Sequence, residues 1–304
     1  MNRTSPSQGF FSASAISSFE SCEQKAYYEY DEGWESKNIS NGLKTGIIMH
    51  DAQEMYLRGH NETAVINSIE EDVKSRGWDE DELFLPKIRS YIKGYYERWE
   101  AEDADAFTDG KYEVLSVEED FSFKFEDTVG NYCTFVGRMD AVLLDKETDC
   151  IILMEHKNVS SRDCQDPSSV FWQSLVMNNQ LTIYATYLEK KYDKPVYIWY
   201  DVMLTTPQSK PKLIKKVRET IEEFEERITN TYKDREENKY IRKKVHVLSG
   251  PRQSRMNEIL EIAKRAQSLS YIGNPIRNTQ SCRNYGGCKF FNVCIGVEHI
   301  HESP

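Results

Sequence analysis

No apolar run approaches the roughly 18 residues of a membrane-spanning helix, so no contact with a membrane is expected. The opening stretch Met1–Pro6 lacks the apolar core of a secretion signal, and a cytoplasmic location is expected. Internal repeats and low-complexity segments are absent, as is any flavin or nicotinamide fingerprint, which leaves little room for a redox carrier. A disulfide framework is also missing: seven cysteines stand at irregular spacing, which in an intracellular protein favours metal binding or free thiols. Positive charge is in deficit, with 39 Lys and Arg against 50 Asp and Glu, for a net charge of -11. That balance is awkward for a nucleic-acid partner, yet residues 205–270 hold 16 Lys and Arg against 10 Asp and Glu. A local basic strip can track phosphates on an acidic protein, so charge neither supports nor excludes DNA.

What is present describes a globular chain. At 304 residues, 39% apolar and 29% charged, it can bury a core as one elaborated domain or as a core plus a helical lobe. Three regions are expected: a helical one over 1–110, a core over 111–205, and C-terminal helices with a cysteine segment over 206–304. The first helix opens near Ser12–Glu20, with Ser17 and Glu20 at capping-box spacing and Ser14 as the other candidate cap. Helical periods follow over 44–58, 62–76 and 83–102. Tyr91, Tyr95, Tyr96 and Trp99 in the last of these are assigned to core packing rather than base stacking. The period then shifts to strands over 112–117, 120–125, 132–144 and 150–157. Ser168 or Ser169 is expected to cap a helix through Lys190, with Gln173, Gln180 and Tyr184 on one stripe. A strand over 195–204 gives the sheet–helix–strand order of an α/β core. Helices over 213–233 and 253–270 flank a segment, 240–248, whose Arg242, Lys243 and Lys244 are candidate backbone contacts. Glu113, Glu118, Glu119 and Asp120 read as solvated strand ends.

The chemistry gathers on one hairpin. Gly137–Val142 and Ile151–Lys157 are apolar runs joined by the polar turn Asp145–Asp149. Alternation puts Glu155 and Lys157 on one face and Met154 and His156 on the other. If Asp140 shares the Glu155 face, two carboxylates and an ammonium converge. Mg²⁺ or Mn²⁺ takes hard oxygen ligands and keeps several waters, so one or two carboxylates suffice to hold it. A lysine beside it can orient or deprotonate a water, or neutralise charge on a phosphate. A surface hairpin with scattered charges yields the same short pattern. Gly137 marks a bulge or a close backbone approach beside the site.

Asp140 followed by Glu155-His156-Lys157 resembles the D…(D/E)xK core of the PD-(D/E)xK nuclease superfamily. Gly46-Ile47-Ile48-Met49-His50 is similar to the GxxxH helix of its RecB-like exonuclease branch, and Gln180-Leu181-Thr182-Ile183-Tyr184 to that branch's QxxxY helix. Cys22 with Cys282, Cys288 and Cys294 resembles the split cysteine set of the branch's iron–sulfur nucleases, which include CRISPR-associated and AddB-type enzymes. The resemblance runs from about residue 14 to 294, with the motifs in order. It implies a restriction-endonuclease-like α/β fold, a central mixed sheet flanked by helices, with an added N-terminal helical lobe and a C-terminal cysteine cluster. It implies a metal-dependent DNA exonuclease, hydrolysing phosphodiester bonds in recombination, repair or phage- or CRISPR-type processing. His50, Asp140 and Glu155, with the backbone carbonyl of His156, would hold Mg²⁺ or Mn²⁺. Lys157 would act on the water, and Gln180 and Tyr184 would support the phosphate. The four cysteines would hold a [4Fe–4S] cluster, although both C-terminal gaps here are five residues where the branch commonly has CxxC first. Zinc or an empty site stays open on that spacing, as does a nucleic-acid-binding subunit that keeps the fold and cuts nothing.

Overall fold

Residues 4–34, 39–108, 110–205, 211–214, 217–246 and 249–297 are described by the structure, a computed structural model. The expected boundary at 205/206 abuts residues outside this set, and Leu248 of the basic segment lies outside it as well.

The long apolar strands of the middle third build a six-stranded mixed sheet. Strands β1 (Phe10–Phe11), β2 (Tyr112–Glu126), β3 (Tyr132–Asp145), β4 (Cys150–Val159) and β5 (Val196–Leu204) are joined by β8 (Tyr240–Val245) at the far edge, and β6 (Leu213–Ile214) and β7 (Val217–Arg218) form a separate small hairpin. The order is β1-β3-β4-β5-β8, with β2 alongside β3. The β4–β5 pair is parallel, and the β2–β3, β3–β4 and β5–β8 pairs are antiparallel. The two strands expected over 112–117 and 120–125 are one, kept continuous across a register shift at Val114/Ser116 and a left-handed residue, Glu118, at φ 54°.

One face of the sheet is covered by α1 (Ala13–Ser21), α7 (Asn179–Tyr192) and α9 (Ser249–Ile272), over a core that includes Ile16, Phe19, Phe135, Leu153, Ile183 and Met256. The other side carries a helical lobe of α3 (Asn41–Leu57), α4 (Glu62–Ser75), α5 (Phe84–Thr108) and α8 (Ile221–Lys233). Short helices α2 (Glu23–Ala26), α6 (Val170–Gln173) and α10 (Phe291–Cys294) complete the set. Tyr91, Tyr95, Tyr96 and Trp99 of α5 are buried, as expected of core aromatics. Helix α5 continues to Thr108, beyond the 83–102 that the helical period predicts. Among the described residues no helix is long and apolar enough to cross a membrane.

Three local expectations are corrected. Ser12, not Ser14 or Ser17, caps α1 by accepting the Ala15 N–H. The Ser17 hydroxyl and the Glu20 carboxylate are engaged elsewhere: both accept from the Asn179 amide, and Glu20 also accepts from Arg255, pinning α1 to α7 and α9. The helix expected from 168 to 190 is broken. It stops after Gln173, passes through a 3-10 turn, and restarts at Asn178, whose side chain accepts the Leu181 N–H. Gln173 therefore stands apart from Gln180 and Tyr184, donating to the Ser168 carbonyl.

Candidate active site

Two strands part company at the site. The β3–β4 ladder runs from Asp145↔Cys150 to Ala141↔Met154 and stops, while β4 continues paired to β5 as far as Val159↔Leu204. On the same edge of β3, β1 takes over only at Thr134 and Phe135. The mouth of the fork thus lies at Asp140 and Glu155, where carboxylates can face one another without interrupting a ladder. The Asp140 carboxylate bridges the gap by accepting the backbone N–H of His156 at 2.7 Å. Period-two alternation also fails here. Phe135 and Met139 pack under α7, whereas Ala141 and Leu143 pack on the opposite side.

His50 reaches the fork from α3. Its Nδ1 lies 3.5 Å from Asp140 Oδ1. Burial works to raise the Asp140 pKa, but the His50 hydrogen bond and charge, with His156, hold it below the ordinary carboxylate range. Burial likewise opposes the charged form of His50, and Asp140 overrides it and raises His50. Glu118 joins the pair: one ligand atom each from His50, Glu118 and Asp140 all lie within 4.8 Å of one another. The expectation that Glu118 is a solvated strand end is therefore wrong. It is half-buried, and burial, then the Asp140 and Glu54 charges, push its carboxyl up to about 7.

Glu155 is fully buried on the α7 face. Its Oε1 accepts from Lys157 Nζ at 2.5 Å and from Gln180 Nε2 at 2.6 Å, while Lys157 also donates to Gln180 Oε1 at 3.1 Å. The other oxygen, Oε2, is buried with no protein partner. An orphaned buried carboxylate oxygen is costly unless a cation or water meets it, so the donor set fits a hard divalent ion. Burial and the Asp140 charge raise the Glu155 pKa; burial would lower that of Lys157, but Glu155 outweighs it and holds the amine protonated. Tyr184 is one turn on from Gln180. Its buried hydroxyl donates to the Arg138 carbonyl at 3.1 Å, and a Cβ on Gly137 would lie 2.9 Å from it, so residue 137 is a close backbone approach. The sequence motifs thus bring His50, Asp140, Glu155, Lys157 and Gln180 together, with Tyr184 bracing the strand behind them.

On the far side of β4 the His156 side chain enters a buried polar network that the sequence did not reveal. His156 Nδ1 lies 3.2 Å from Asp201 Oδ2, which also takes Tyr95 Oη at 2.8 Å and Arg242 Nη2 at 3.2 Å. Arg242 Nη1 donates to Asp103 at 2.6 Å, and Tyr56 Oη to the same carboxylate at 2.9 Å. Burial would raise Asp201, but Arg242 and His156 hold it down to about 2. Arg242 is thus an internal counter-ion, not the nucleic-acid contact expected of it. Lys243 donates to the Pro167 carbonyl and Lys244 lies over the Tyr197 ring.

The four cysteines meet at the opposite ends of the chain. Cys22, Cys282, Cys288 and Cys294 line one cavity of about 910 Å³ with Tyr28 and Arg277. Burial, and the charges of the other three thiols, raise the Cys294 pKa against the pull of Arg277. Cys22 sits at the joint between α1 and α2, and its sulfur accepts the Asn278 N–H. Among the described residues, no three thiols fall within 4.8 Å of one another.

In fold, the chain is similar to a solved protein from Eubacterium rectale that carries the provisional designation exonuclease. The TM-score is 0.53 at 11% identity, covering 100% of this chain and 96% of that one, and at such identity the likeness bears on fold alone. No curated protein sequence matches the chain. The sequence profile of the PD-(D/E)XK nuclease superfamily, however, matches residues 10–294, from the first strand to the last of the four cysteines. With the D…ExK residues gathered at a strand fork and a restriction-endonuclease-like sheet around them, the chain belongs to the PD-(D/E)XK nuclease superfamily.

Proposed function

We propose that the chain is a metal-dependent DNA exonuclease of the RecB-like type, acting in recombination, repair or related DNA processing. The carrying observation is Glu155: buried, with Oε1 doubly bonded by Lys157 and Gln180 and Oε2 left without a partner beside Asp140. His50, Asp140 and Glu155, with the His156 backbone carbonyl, would hold Mg²⁺ or Mn²⁺. When bound, such an ion neutralises charge on the scissile phosphate and acidifies a neighbouring water. The chain's own groups do the rest. Lys157, kept protonated by Glu155, serves as a hydrogen-bond donor that orients water and phosphate rather than as a base. Gln180 fixes Lys157 and Glu155 relative to one another. Tyr184 spends its hydroxyl on the Arg138 carbonyl and so positions β3 instead of touching phosphate.

End-labelled single- and double-stranded DNA, incubated with Mg²⁺, Mn²⁺ or EDTA, tests this. Metal-dependent release of label by the wild type and none by Asp140→Ala is expected. DNA binding without cutting by either protein would move the assignment to a silent binding subunit.

The cysteines are assigned to a [4Fe–4S] cluster. In support, four thiols from both ends of the chain share one cavity, whose volume of about 910 Å³ leaves room for a group larger than a single ion. Zinc holds sulfur at about 2.3 Å, which places tetrahedral thiolates roughly 3.8 Å apart. A four-iron cluster takes each thiolate on a different iron and spaces them further. Anaerobically purified protein should be brown and contain four irons per chain, and Cys288→Ser should lose both colour and thermal stability. One zinc per chain and no iron would reverse the assignment.

A further inference from the structure

Tyr200 of β5 stands in register with Glu155 of β4, one strand along from the D…ExK residues. Ladder partners point their side chains to the same face of a sheet, so Tyr200 shares the α7 face with Glu155 and Lys157. Its ring meets those of Trp172 and Phe171 of α6, at 6.1 and 6.3 Å between centroids. The same row continues to Lys243 of β8, but that ammonium is turned to the Trp172 ring and the Pro167 carbonyl. Burial pushes the Tyr200 hydroxyl up to about 12. After burial, the charges that act on it are those of Lys157, Glu155 and Asp140.

Tyr200 is only 5% exposed. Its hydroxyl finds no hydrogen-bond partner among the described residues, yet it is not sealed in as Glu155 Oε2 is. Other buried tyrosines do not behave this way. Tyr95, Tyr197 and Tyr240 donate to Asp201, Asp145 and the Tyr91 carbonyl, and Tyr184 donates to the Arg138 carbonyl. A polar group left unpaired in so buried a side chain calls for a partner from outside the chain. Phenylalanine would fill the same wall without that demand.

We propose that the Tyr200 hydroxyl is a substrate-binding group, donating to a non-bridging oxygen of the phosphate that Lys157 engages. An O–H donor on a charged oxygen makes a strong hydrogen bond. Two neighbouring strands then hold one phosphate, β4 through Lys157 and β5 through Tyr200. Tyr200 thereby supplies the hydroxyl that Tyr184 has already spent. The inference deepens the nuclease reading above and rests on it.

Tyr200→Phe, in the full chain, keeps the ring and removes only the hydroxyl. Single-turnover cutting of DNA ends in Mg²⁺ should fall about 10- to 100-fold, as for a lost bond to a charged group, with the melting temperature unchanged. Phosphorothioate substrates give a readout that packing does not move. Sulfur replaces either non-bridging oxygen of the scissile phosphate, one stereoisomer at a time. In wild type, sulfur at the oxygen facing Tyr200 should slow cutting. In Tyr200→Phe the penalty for that isomer should shrink, while the penalty for the other stays. A variant that melts lower is judged by the same ratio. Wild-type rates in Tyr200→Phe, or an equal slowing on phosphate and both isomers, overturn this inference and leave the nuclease reading standing. No metal-dependent cutting of any substrate by the wild type refutes both.

Discussion

The Tyr184 hydroxyl occupies the space that a side chain on residue 137 would need: a Cβ on Gly137 would come within 2.9 Å of it and 3.0 Å of the Phe121 ring. Gly137→Ala must push Tyr184 and Phe121 aside, at a cost of about 1–3 kcal/mol. Tyr184→Phe keeps the edge-on ring contact with Phe121 and loses the hydroxyl's bond to the Arg138 carbonyl, about 1 kcal/mol, together with its contact to Gln180. Urea melts should rank the two in that order. Because Tyr184 braces β3 rather than binding phosphate, Tyr184→Phe should also retain most of the cutting rate. A loss as deep as that of Asp140→Ala would put its hydroxyl on the substrate.

Lys157→Met removes the ammonium bonded to Glu155 and Gln180. Cutting should fall about 10²–10³-fold, the range for losing a preorganised donor at developing charge. Circular dichroism should show the fold retained. Gln180→Leu should lower the turnover rate while DNA binding is kept, since the amide contacts protein groups on both of its ends.

The metal-free protein should lose stability as pH rises between the ordinary glutamate value of 4.5 and about 7, because folded Glu118 holds its proton more tightly than the unfolded chain does. Above about pH 7 this contribution levels off. Glu118→Gln should flatten that part of the profile, and Mn²⁺ should restore alkaline stability to wild type but less to the variant. Thermal melts in EDTA and in Mn²⁺ across pH 4–9 make the comparison.

Asp201 has the opposite sign. Its pKa, held down to about 2 from 3.8, adds stability that is fully present above pH 4 and lost as pH falls toward 2. Asp201→Asn leaves Arg242 with Asp103 as its one carboxylate partner in the network, at a cost on the order of 3 kcal/mol. Because His156 carries both this network and the N–H bonded to Asp140, Mn²⁺ affinity should fall too.

Much of the site could be read before folding. Asp140, Glu155 and Lys157 lie on strands whose apolar runs announce them, and His50 and Gln180 sit at fixed offsets in helices. Glu118 could not be read in the same way. Its strand shifts register at Val114/Ser116 and turns left-handed at Glu118, and side chains in β3 change faces across Asp140. A period of two presumes that neither happens. Arg242 was misjudged for a different reason: three adjacent basic residues resemble a solvated run, and only tertiary packing supplies the acids that draw one inward. The break before Asn178 was hidden because Leu175, Val176 and Met177 carry no helix-stopping residue type, although Asn178 is a competent cap.

Helix α9 covers α7 and α1, yet it is made some 57 to 80 residues after α7 ends. During synthesis the helix that bears Gln180 and Tyr184 therefore emerges long before its outer layer exists. Its apolar back, including Ile183 and Leu188, must wait uncovered or be shielded by other means. A chain cut short before Ser249 would carry every residue of the D…ExK set and still lack the packing that holds them in register.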